Sequence, residues 1–187
     1  ESFHLKMLNR EAADIKNKPL EVVNLLELRK GDVVYDVGSG GGYFSLEFAQ
    51  RTGPGGKVYT IDTNPRNLDF IRKQSAAQQL ANVHPFRTRA ASDLAGIRDK
   101  ADLVFLRNVF HHLPKPAEYF QALAPCLADG GRIAVIEYAK KGPGFITLFG
   151  HYTPEQRIVE TLAQCGLARV ARFDILPKQS FNVFKKS

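Results

Sequence analysis

The chain has few residues of several types: no tryptophan, a single methionine and only two cysteines. Cys126 and Cys165 stand alone rather than in CxxC pairs, which excludes a disulfide scaffold and predicts no metal site. No apolar run approaches the roughly 18 residues that a membrane helix needs, so no membrane span is expected. Residues 1–10 lack the basic-then-apolar pattern of a signal peptide, and we expect a reduced, cytoplasmic protein. The chain begins at Glu1 rather than Met, which leaves open whether residues precede it.

The composition is that of an ordinary globular protein. Of the 187 residues, 44% are hydrophobic and 24% are charged, and this length predicts one domain spanning residues 1–187. The net charge of +7 is concentrated in residues 140–187, which hold eight basic and three acidic side chains. Such an excess is typical either of a solvated surface or of a face that attracts nucleic acid or an acidic substrate.

Strand-like and helix-like segments alternate along the chain, which predicts an α/β fold with a parallel sheet covered on both faces. The predicted strands are residues 32–37, 57–62, 83–88, 101–106, 132–138, 168–175 and 181–185. The predicted helices are residues 43–51, 65–79, 116–127 and 154–165, after one or two helices in residues 5–28. Asn64 and Thr153 are the expected N-caps, since each precedes a proline. A short loop joins the last two strands, which predicts antiparallel neighbours.

The most informative segment is glycine-rich and joins the first predicted strand to a helix. Residues 33–43 read VVYDVGSGGGY, with Asp36, Gly38, Gly40 and Gly42 at alternate positions. Glycine permits a positive φ and lets a ligand approach the backbone without a Cβ in the way. The turn lies at the carboxyl end of the first strand, where open α/β sheets bind ligands. We therefore predict a ligand-binding loop rather than a bare tight turn.

The spacing within this loop discriminates between cofactors. Nicotinamide and flavin enzymes use G-x-G-x-x-G to bind a pyrophosphate, whereas here the third glycine comes one residue early. Asp36 would repel a pyrophosphate but attract a cofactor with an ammonium group, such as the methionine end of S-adenosylmethionine. Asp62 ends the second predicted strand, where a carboxylate accepts hydrogen bonds from ribose hydroxyls.

Together with two further segments, these motifs resemble the class I S-adenosylmethionine-dependent methyltransferases. The segments are DLVFLRNVFHHL at residues 102–113 and LADGGR at residues 127–132, and the His-His-Leu resembles a broad branch that acts on small molecules. The likeness is close over residues 30–140, and the tail is similar in layout. It implies a doubly wound, Rossmann-like, seven-stranded sheet with the last strand antiparallel and helices on both faces.

The resemblance also implies roles for individual residues. Asp36 and the backbone of residues 38–42 would hold the methionine part of the cofactor, and Asp62 would hold the ribose. Thr63 and Leu68 would lie near the adenine, and Asn108 would line the methyl-transfer cleft. The implied cofactor-binding residues are Asp36, Gly38, Ser39, Gly40, Gly42, Tyr43, Asp62, Thr63, Leu68, Ser92, Asp93 and Asn108.

The segment after the third strand departs from this pattern. Many relatives carry an acidic residue there that touches the adenine amino group, whereas residues 87–93 read RTRAASD. Either the acidic residue is displaced to Asp93, with Ser92 beside it, or Asp93 only caps a turn.

A base is needed only where the methyl acceptor must lose a proton. His111 and His112 are the candidate catalytic residues because imidazole titrates near neutral pH; alternatively, either is a structural hydrogen-bonding group. Further residues expected to border the cleft are Glu137, Tyr138, His151 and Tyr152. Residues 139–152 are too short for a lid domain, so the N-terminal helical segment, residues 1–28, is the candidate cover for the cleft.

Several functions remain open on the sequence alone. A methyltransferase acting on a small molecule leads, because the chain lacks both the Asn/Asp-Pro-Pro-aromatic motif of amide and base amino methyltransferases and the Pro-Cys nucleophile of cytosine methyltransferases. The alternatives are a methyltransferase acting on RNA or protein, a cofactor-binding module without transfer activity, and a nicotinamide-dependent oxidoreductase, which the glycine spacing disfavours. The sequence names neither the acceptor nor the oligomeric state.

Overall fold

The computed structural model describes residues 2–139 and 152–187 of the chain. The strands are β1 (Val33–Val37), β2 (Lys57–Asp62), β3 (Val83–Arg87), β4 (Ala101–Arg107), β5 (Leu127–Tyr138), β6 (Leu167–Phe173) and β7 (Gln179–Lys186). The helices are α1 (Ser2–Ala13), α2 (Pro19–Leu25), α3 (Tyr43–Thr52), α4 (Pro65–Ala77), α5 (Pro116–Leu123) and α6 (Glu155–Gln164). Within these residues, no helix is both long and apolar enough to cross a membrane.

The strands lie in one sheet, in the order β3-β2-β1-β4-β5-β7-β6. β7 runs antiparallel to β5, and helices lie on both faces. The predicted α/β fold, with seven strands and the last one antiparallel, is therefore confirmed.

The first of two compact units is Glu1–Arg89. In it, β1 and β3 both pair with β2 in parallel. Their buried side chains include Val34, Tyr35 and Ile61, as expected of strands covered on both faces. Asn64 caps α4 by accepting a hydrogen bond from the Arg66 backbone N–H at 3.0 Å, as predicted.

Helix α3 has glycine at both of its ends. Gly42 and Gly53 have φ values of 81° and 67°, and neither residue has a side chain that could cap the helix. At the carboxyl end, the buried Asn82 donates from Nδ2 to the carbonyl oxygens of Ala49 and Gly53, both at 2.9 Å. A side chain about 30 residues further along the chain therefore satisfies this end of the helix.

The second compact unit is Ala90–Ser187. Here β4 and β5 are parallel, and β7 pairs antiparallel with β5 and with β6. The pairing of β6 with β7 confirms the prediction made from their short connecting loop. Phe181 on β7 is fully buried, and its ring centroid lies 4.9 Å from that of Phe173 on β6.

The start of β5 differs from the prediction. The strand begins at Leu127, which pairs with Ala101, whereas Arg132 pairs with Leu103. Residues 128–131 therefore form a bulge within the strand, whereas the predicted bounds of 132–138 placed them before it. A Cβ at Gly131 would lie 2.6 Å from the Ala101 carbonyl oxygen, which explains why glycine is needed there.

Other expectations need smaller corrections. The helix predicted over residues 116–127 ends at Leu123, because residues 124–126 form a 3-10 turn that contains a proline. α6 begins at Glu155 with Pro154 at its N-cap, so Thr153 is not the cap. Two large hydrophobic side chains, Leu20 of α2 and Val170 of β6, are 55% and 53% exposed.

Candidate functional site

The glycine-rich loop between β1 and α3 has the backbone conformation that its sequence predicts. Gly38, Gly40 and Gly42 have φ values of 69°, 52° and 81°, a region that side chains with a Cβ rarely adopt. Gly38 donates its backbone N–H to the Ile61 carbonyl oxygen of β2 at 2.7 Å. A Cβ at Gly42 would also lie 2.5 Å from Ile71 of α4. The loop is thus built from glycine both for its conformation and for close packing.

Asp36 is buried at the end of β1, with 4% of its surface exposed. Its carboxylate accepts a short hydrogen bond from the Ser45 hydroxyl of α3. Burial raises the pKa of Asp36 to about 7, opposed by the hydrogen bond from Ser45 and assisted by the negative charge of Asp62. A carboxyl group with this pKa ionises more readily when a cation binds beside it.

Asp62 ends β2, and its carboxylate already accepts several hydrogen bonds. Oδ2 accepts from the Gly40 backbone N–H and from Asn67 Nδ2, both at 3.1 Å, and Oδ1 accepts from the Asn64 backbone N–H at 2.9 Å. Two carboxylate oxygens offer about four lone-pair sites, so some capacity remains for a ligand. Asp62 therefore shapes the glycine loop as well as being a candidate ribose ligand.

Ser39 gives an independent indication of a ligand in this loop. Its Oγ is buried and has no hydrogen-bond partner among the described residues. Buried hydroxyls are normally satisfied, so this atom suits a polar group such as the carboxylate or ammonium of the methionine part. Together with the glycine backbone and two carboxylates, it fits a cofactor with an amino-acid end and a ribose.

The other implied cofactor residues in the first unit have different environments. Thr63 is exposed after β2, and its carbonyl oxygen accepts a hydrogen bond from Arg87 Nε at 3.4 Å. Leu68 is 5% exposed and packs on the buried face of α4. Tyr43 is half-buried at the first position of α3.

Ser92 and Asp93 are exposed in the 3-10 helix Ala91–Gly96. Asp93 Oδ2 accepts a hydrogen bond from the Ala90 backbone N–H at 3.2 Å. The carboxylate therefore caps this turn, which was one of the two alternatives. Contact with an adenine remains a prediction.

Asn108 follows β4 in a left-handed conformation, with φ at 57°. Its backbone N–H donates to the Ile136 carbonyl oxygen at 2.8 Å, and its Oδ1 accepts from Gln179 Nε2 of β7 at 2.7 Å. A left-handed non-glycine residue is uncommon and costs energy. Here two hydrogen bonds from neighbouring strands hold it in place.

His111 and Glu137 form a buried pair in the second unit. His111 Nδ1 lies 2.9 Å from Glu137 Oε1, and the side chains are 7% and 0% exposed. Glu137 Oε2 also accepts from the His111 backbone N–H at 3.2 Å. When the carboxylate is ionised it only accepts hydrogen bonds, so a neutral ring paired with it carries its proton on Nδ1 and leaves Nε2 as the acceptor.

His112 differs from His111 in its surroundings. It is exposed, and its ring centroid lies 3.9 Å from that of His111. The buried carboxylate thus distinguishes two histidines that the sequence left equivalent. His151, another sequence candidate, lies outside the described residues.

The sequence gives no signal for two residues that contact the candidate site. Asn9 of α1 contacts the glycine loop, and Gln179 holds Asn108. Each partner is distant along the chain, and no local motif marks either pair. Glu137 was expected near the cleft, but its pairing with His111 was not.

Comparison with known proteins gives the family. Residues 28–165 match the methyltransferase domain family. In the solved structure of a S-adenosylmethionine-dependent methyltransferase from Aquifex aeolicus, the fold is similar, with a TM-score of 0.83 at 20% identity over 98% of this chain and 97% of that one.

Curated relatives carry names with different acceptors. The chain is 28% identical over 113 residues to an arsenite methyltransferase of Halobacterium salinarum, covering 60% of this chain and 29% of that protein. It is 31% identical over 119 residues to a protein-L-isoaspartate O-methyltransferase of Korarchaeum cryptofilum, covering 59% and 51%. It is 33% identical over 156 residues to a probable cobalt-precorrin-6B C(15)-methyltransferase of Sulfolobus acidocaldarius, covering 79% and 78%. The chain thus spans only 29% of the length of the first relative and 51% of the second.

The chain belongs to the methyltransferase domain family, whose cofactor is S-adenosylmethionine. The family membership and the cofactor predicted from the sequence are therefore confirmed.

Proposed function

We propose that this chain transfers a methyl group from S-adenosylmethionine to a small molecule that loses a proton in the reaction. The observation that carries this proposal is the buried pair of His111 and Glu137. Because the carboxylate is fully removed from solvent and lies beside an imidazole, the pair suits general-base catalysis better than a role at the protein surface. The same proposal treats residues 1–187 as one methyltransferase domain, since the family match extends across both units.

The cofactor is assigned to the residues that surround the glycine loop. Asp36 would attract the ammonium group, and the Ser39 hydroxyl would bond to the methionine carboxylate. Asp62 would accept from a ribose hydroxyl with its remaining lone pairs. The other proposed cofactor residues are Gly38, Gly40, Gly42, Tyr43, Thr63, Leu68, Ser92, Asp93 and Asn108.

The bound cofactor supplies a methyl group on a positively charged sulfur that becomes neutral when the methyl leaves. The acceptor proton goes to His111 at Nε2. Glu137 accepts from Nδ1–H, fixes the orientation of the ring, and stabilises the imidazolium that forms. Asn108 would line the acceptor side, with its amide held by Gln179.

A small acceptor is preferred to RNA because of how the basic charge is arranged. In residues 152–187, Arg169 and Arg172 both approach Glu155, at 3.5 and 2.9 Å. Ion pairing of this kind lowers the charge that the surface offers to phosphates. The relatives named for arsenite and a cobalt-precorrin are consistent with a small acceptor.

A protein acceptor is the second candidate, favoured by the relative named as a protein-L-isoaspartate O-methyltransferase. A cytoplasmic location remains a prediction in either case.

The deciding experiment is methyl transfer from labelled S-adenosylmethionine into separated metabolite, RNA and protein pools. We expect label in the small-molecule pool, and a product carrying the methyl group on an atom that was protonated. Label found only in RNA or protein would overturn the small-molecule acceptor. Calorimetric titration with S-adenosylhomocysteine and with NAD separates a methyltransferase from an oxidoreductase. We expect S-adenosylhomocysteine to bind and NAD not to bind.

A further inference from the structure

Asn9, in the middle of α1, lies directly against the glycine loop. Its Nδ2 donates to the Gly41 carbonyl oxygen at 2.7 Å, and its Oδ1 accepts from the Tyr43 backbone N–H at 3.2 Å. The orientation of the amide is unambiguous, because a carbonyl oxygen can only accept and a backbone N–H can only donate. One side chain thus holds both the loop and the first residue of α3.

α3 needs such a partner because its own N-cap is Gly42, which makes no side-chain hydrogen bond. Helices normally receive this bond from a serine, threonine, aspartate or asparagine at the N-cap itself. Here Asn9, 34 residues before Tyr43, accepts instead from the N–H of Tyr43, the first residue of the helix. The amino end of α3, and with it the end of the loop, therefore depends on α1.

The glycines of the loop also show that the loop packs against α1. Gly41 does not have a positive φ, yet a Cβ there would lie 2.2 Å from Asn9 Oδ1 and 2.7 Å from the Leu5 carbonyl oxygen. Gly41 is therefore required by the packing of α1 and not by the conformation of the loop. Leu8 also lies over Gly40, at 3.7 Å from the position of a Cβ. Leu5 is buried, so α1 is seated firmly at this point.

We propose that Asn9 is a positioning residue for the cofactor, so that docking of α1 and binding of the cofactor stabilise each other. Asn9 fixes the Gly41 carbonyl and the amino end of α3. Both belong to the loop region that is proposed to bind the methionine part of the cofactor. Coupling between two such events is reciprocal. This inference rests on the proposed cofactor site and adds a residue that the glycine motif does not contain.

The test is calorimetric titration of the full chain with S-adenosylhomocysteine, comparing the unmodified protein with Asn9→Ala. We expect the Kd to rise about tenfold, which corresponds to about 1.4 kcal/mol. Asn9→Asp keeps the acceptor for Tyr43 N–H but loses the donor to Gly41, and its Kd is expected to rise less, about threefold. Asn9→Asp also serves as the test if Asn9→Ala does not fold.

The matched control is Asn17→Ala. Asn17 donates from Nδ2 to the Glu11 carbonyl oxygen at 2.7 Å in the same N-terminal segment, and it does not contact the loop in any described hydrogen bond. Its loss is expected to lower the melting temperature while leaving the Kd within twofold. A purely structural Asn9 would behave in the same way, and that result would overturn the inference.

Amide hydrogen exchange gives the reciprocal measurement. S-adenosylhomocysteine is expected to slow exchange in residues 2–13 of the unmodified protein and to do so much less in Asn9→Ala. Unchanged exchange in α1 would refute the coupling even if the Kd changes. If the unmodified protein does not bind S-adenosylhomocysteine at all, the proposed cofactor site fails first, and the inference fails with it.

Discussion

Because Asp36 is buried, we expect ligand affinity and protein stability to depend on pH in opposite directions. Its pKa of about 7 means that a neutral carboxyl occupies the site at low pH. A cofactor with an ammonium group requires the ionised form. Affinity should therefore rise with pH, while the stability of the free protein should fall as the buried group is forced to ionise.

The expected size of the affinity change follows from the ionised fraction. With a pKa of about 7, about half of the molecules are ionised at pH 7 and about one in a hundred at pH 5. The apparent Kd scales inversely with the competent fraction, so it should rise by up to about 50-fold between pH 7 and pH 5. This range lies below the α-amino pKa of about 7.7–8.0, so the ligand keeps its charge.

The stability change has the reverse sign. The folded-state pKa is raised from the ordinary value of 3.8, so the folded protein binds more protons than the unfolded chain between that value and about pH 7. The contribution of Asp36 is then fully present below about pH 4 and is lost as pH rises through 7. A shift of this size corresponds to at most about 4 kcal/mol.

The assay pairs calorimetric binding of S-adenosylhomocysteine with denaturant unfolding of the free protein, each at pH 5, 6 and 7. Asp36→Asn is the matched control because it has nearly the same shape and cannot titrate in this range. Its affinity and its contribution to stability should show no such slope. Ser45→Ala removes a hydrogen bond to the carboxylate and should move both midpoints to higher pH. Equal pH slopes for the unmodified protein and Asp36→Asn would refute the reasoning.

Three further substitutions test the other parts of the site. Asp62→Ala should weaken binding of S-adenosylhomocysteine by about 2–3 kcal/mol, since it removes a charged acceptor, and circular dichroism should show an intact fold; affinity within threefold would exclude the ribose role. Gly40→Val should abolish binding more completely than Asp62→Ala, because valine rarely adopts a φ of 52°. Normal binding by calorimetry would mean that the loop is only a turn and does not bind the cofactor. Glu137→Gln should lower kcat about 100-fold or more because the charge that orients the base and stabilises its imidazolium is lost, with the Kd for S-adenosylhomocysteine unchanged. An unaltered kcat would exclude the proposed role of Glu137 in the mechanism.

Strands and glycines were predictable because their signals are local. β2 has the predicted bounds, residues 57–62, since the β-branched and aromatic residues 58–61 are preceded by Gly56 and followed closely by Asn64. The positive φ values of Gly38, Gly40 and Gly42 follow from the spacing of the motif. These features depend on a few consecutive residues, so a single sequence is sufficient.

Long-range partners were not predictable on the same basis. Nothing near Asn9 indicates that it will reach Gly41, and nothing near Glu137 selects His111 over His112. The bulge of β5 was missed because Gly130 and Gly131 have the local appearance of a turn. Its position depends on the pairing of Leu127 with Ala101 in another strand.

Asn9 and Asn82 bind the two ends of α3 from distant parts of the chain, and this affects how α3 folds during synthesis. A helix of ten residues is marginal in isolation, because short helices cannot offset the cost of nucleation. In a nascent chain, Asn9 is synthesised before α3, but Asn82 follows the end of the helix by about 30 residues. At elongation rates of about 5–20 residues per second, the carboxyl end of α3 frays for seconds before its partner emerges. We therefore expect α3 to consolidate only once residues up to Asn82 have left the ribosome.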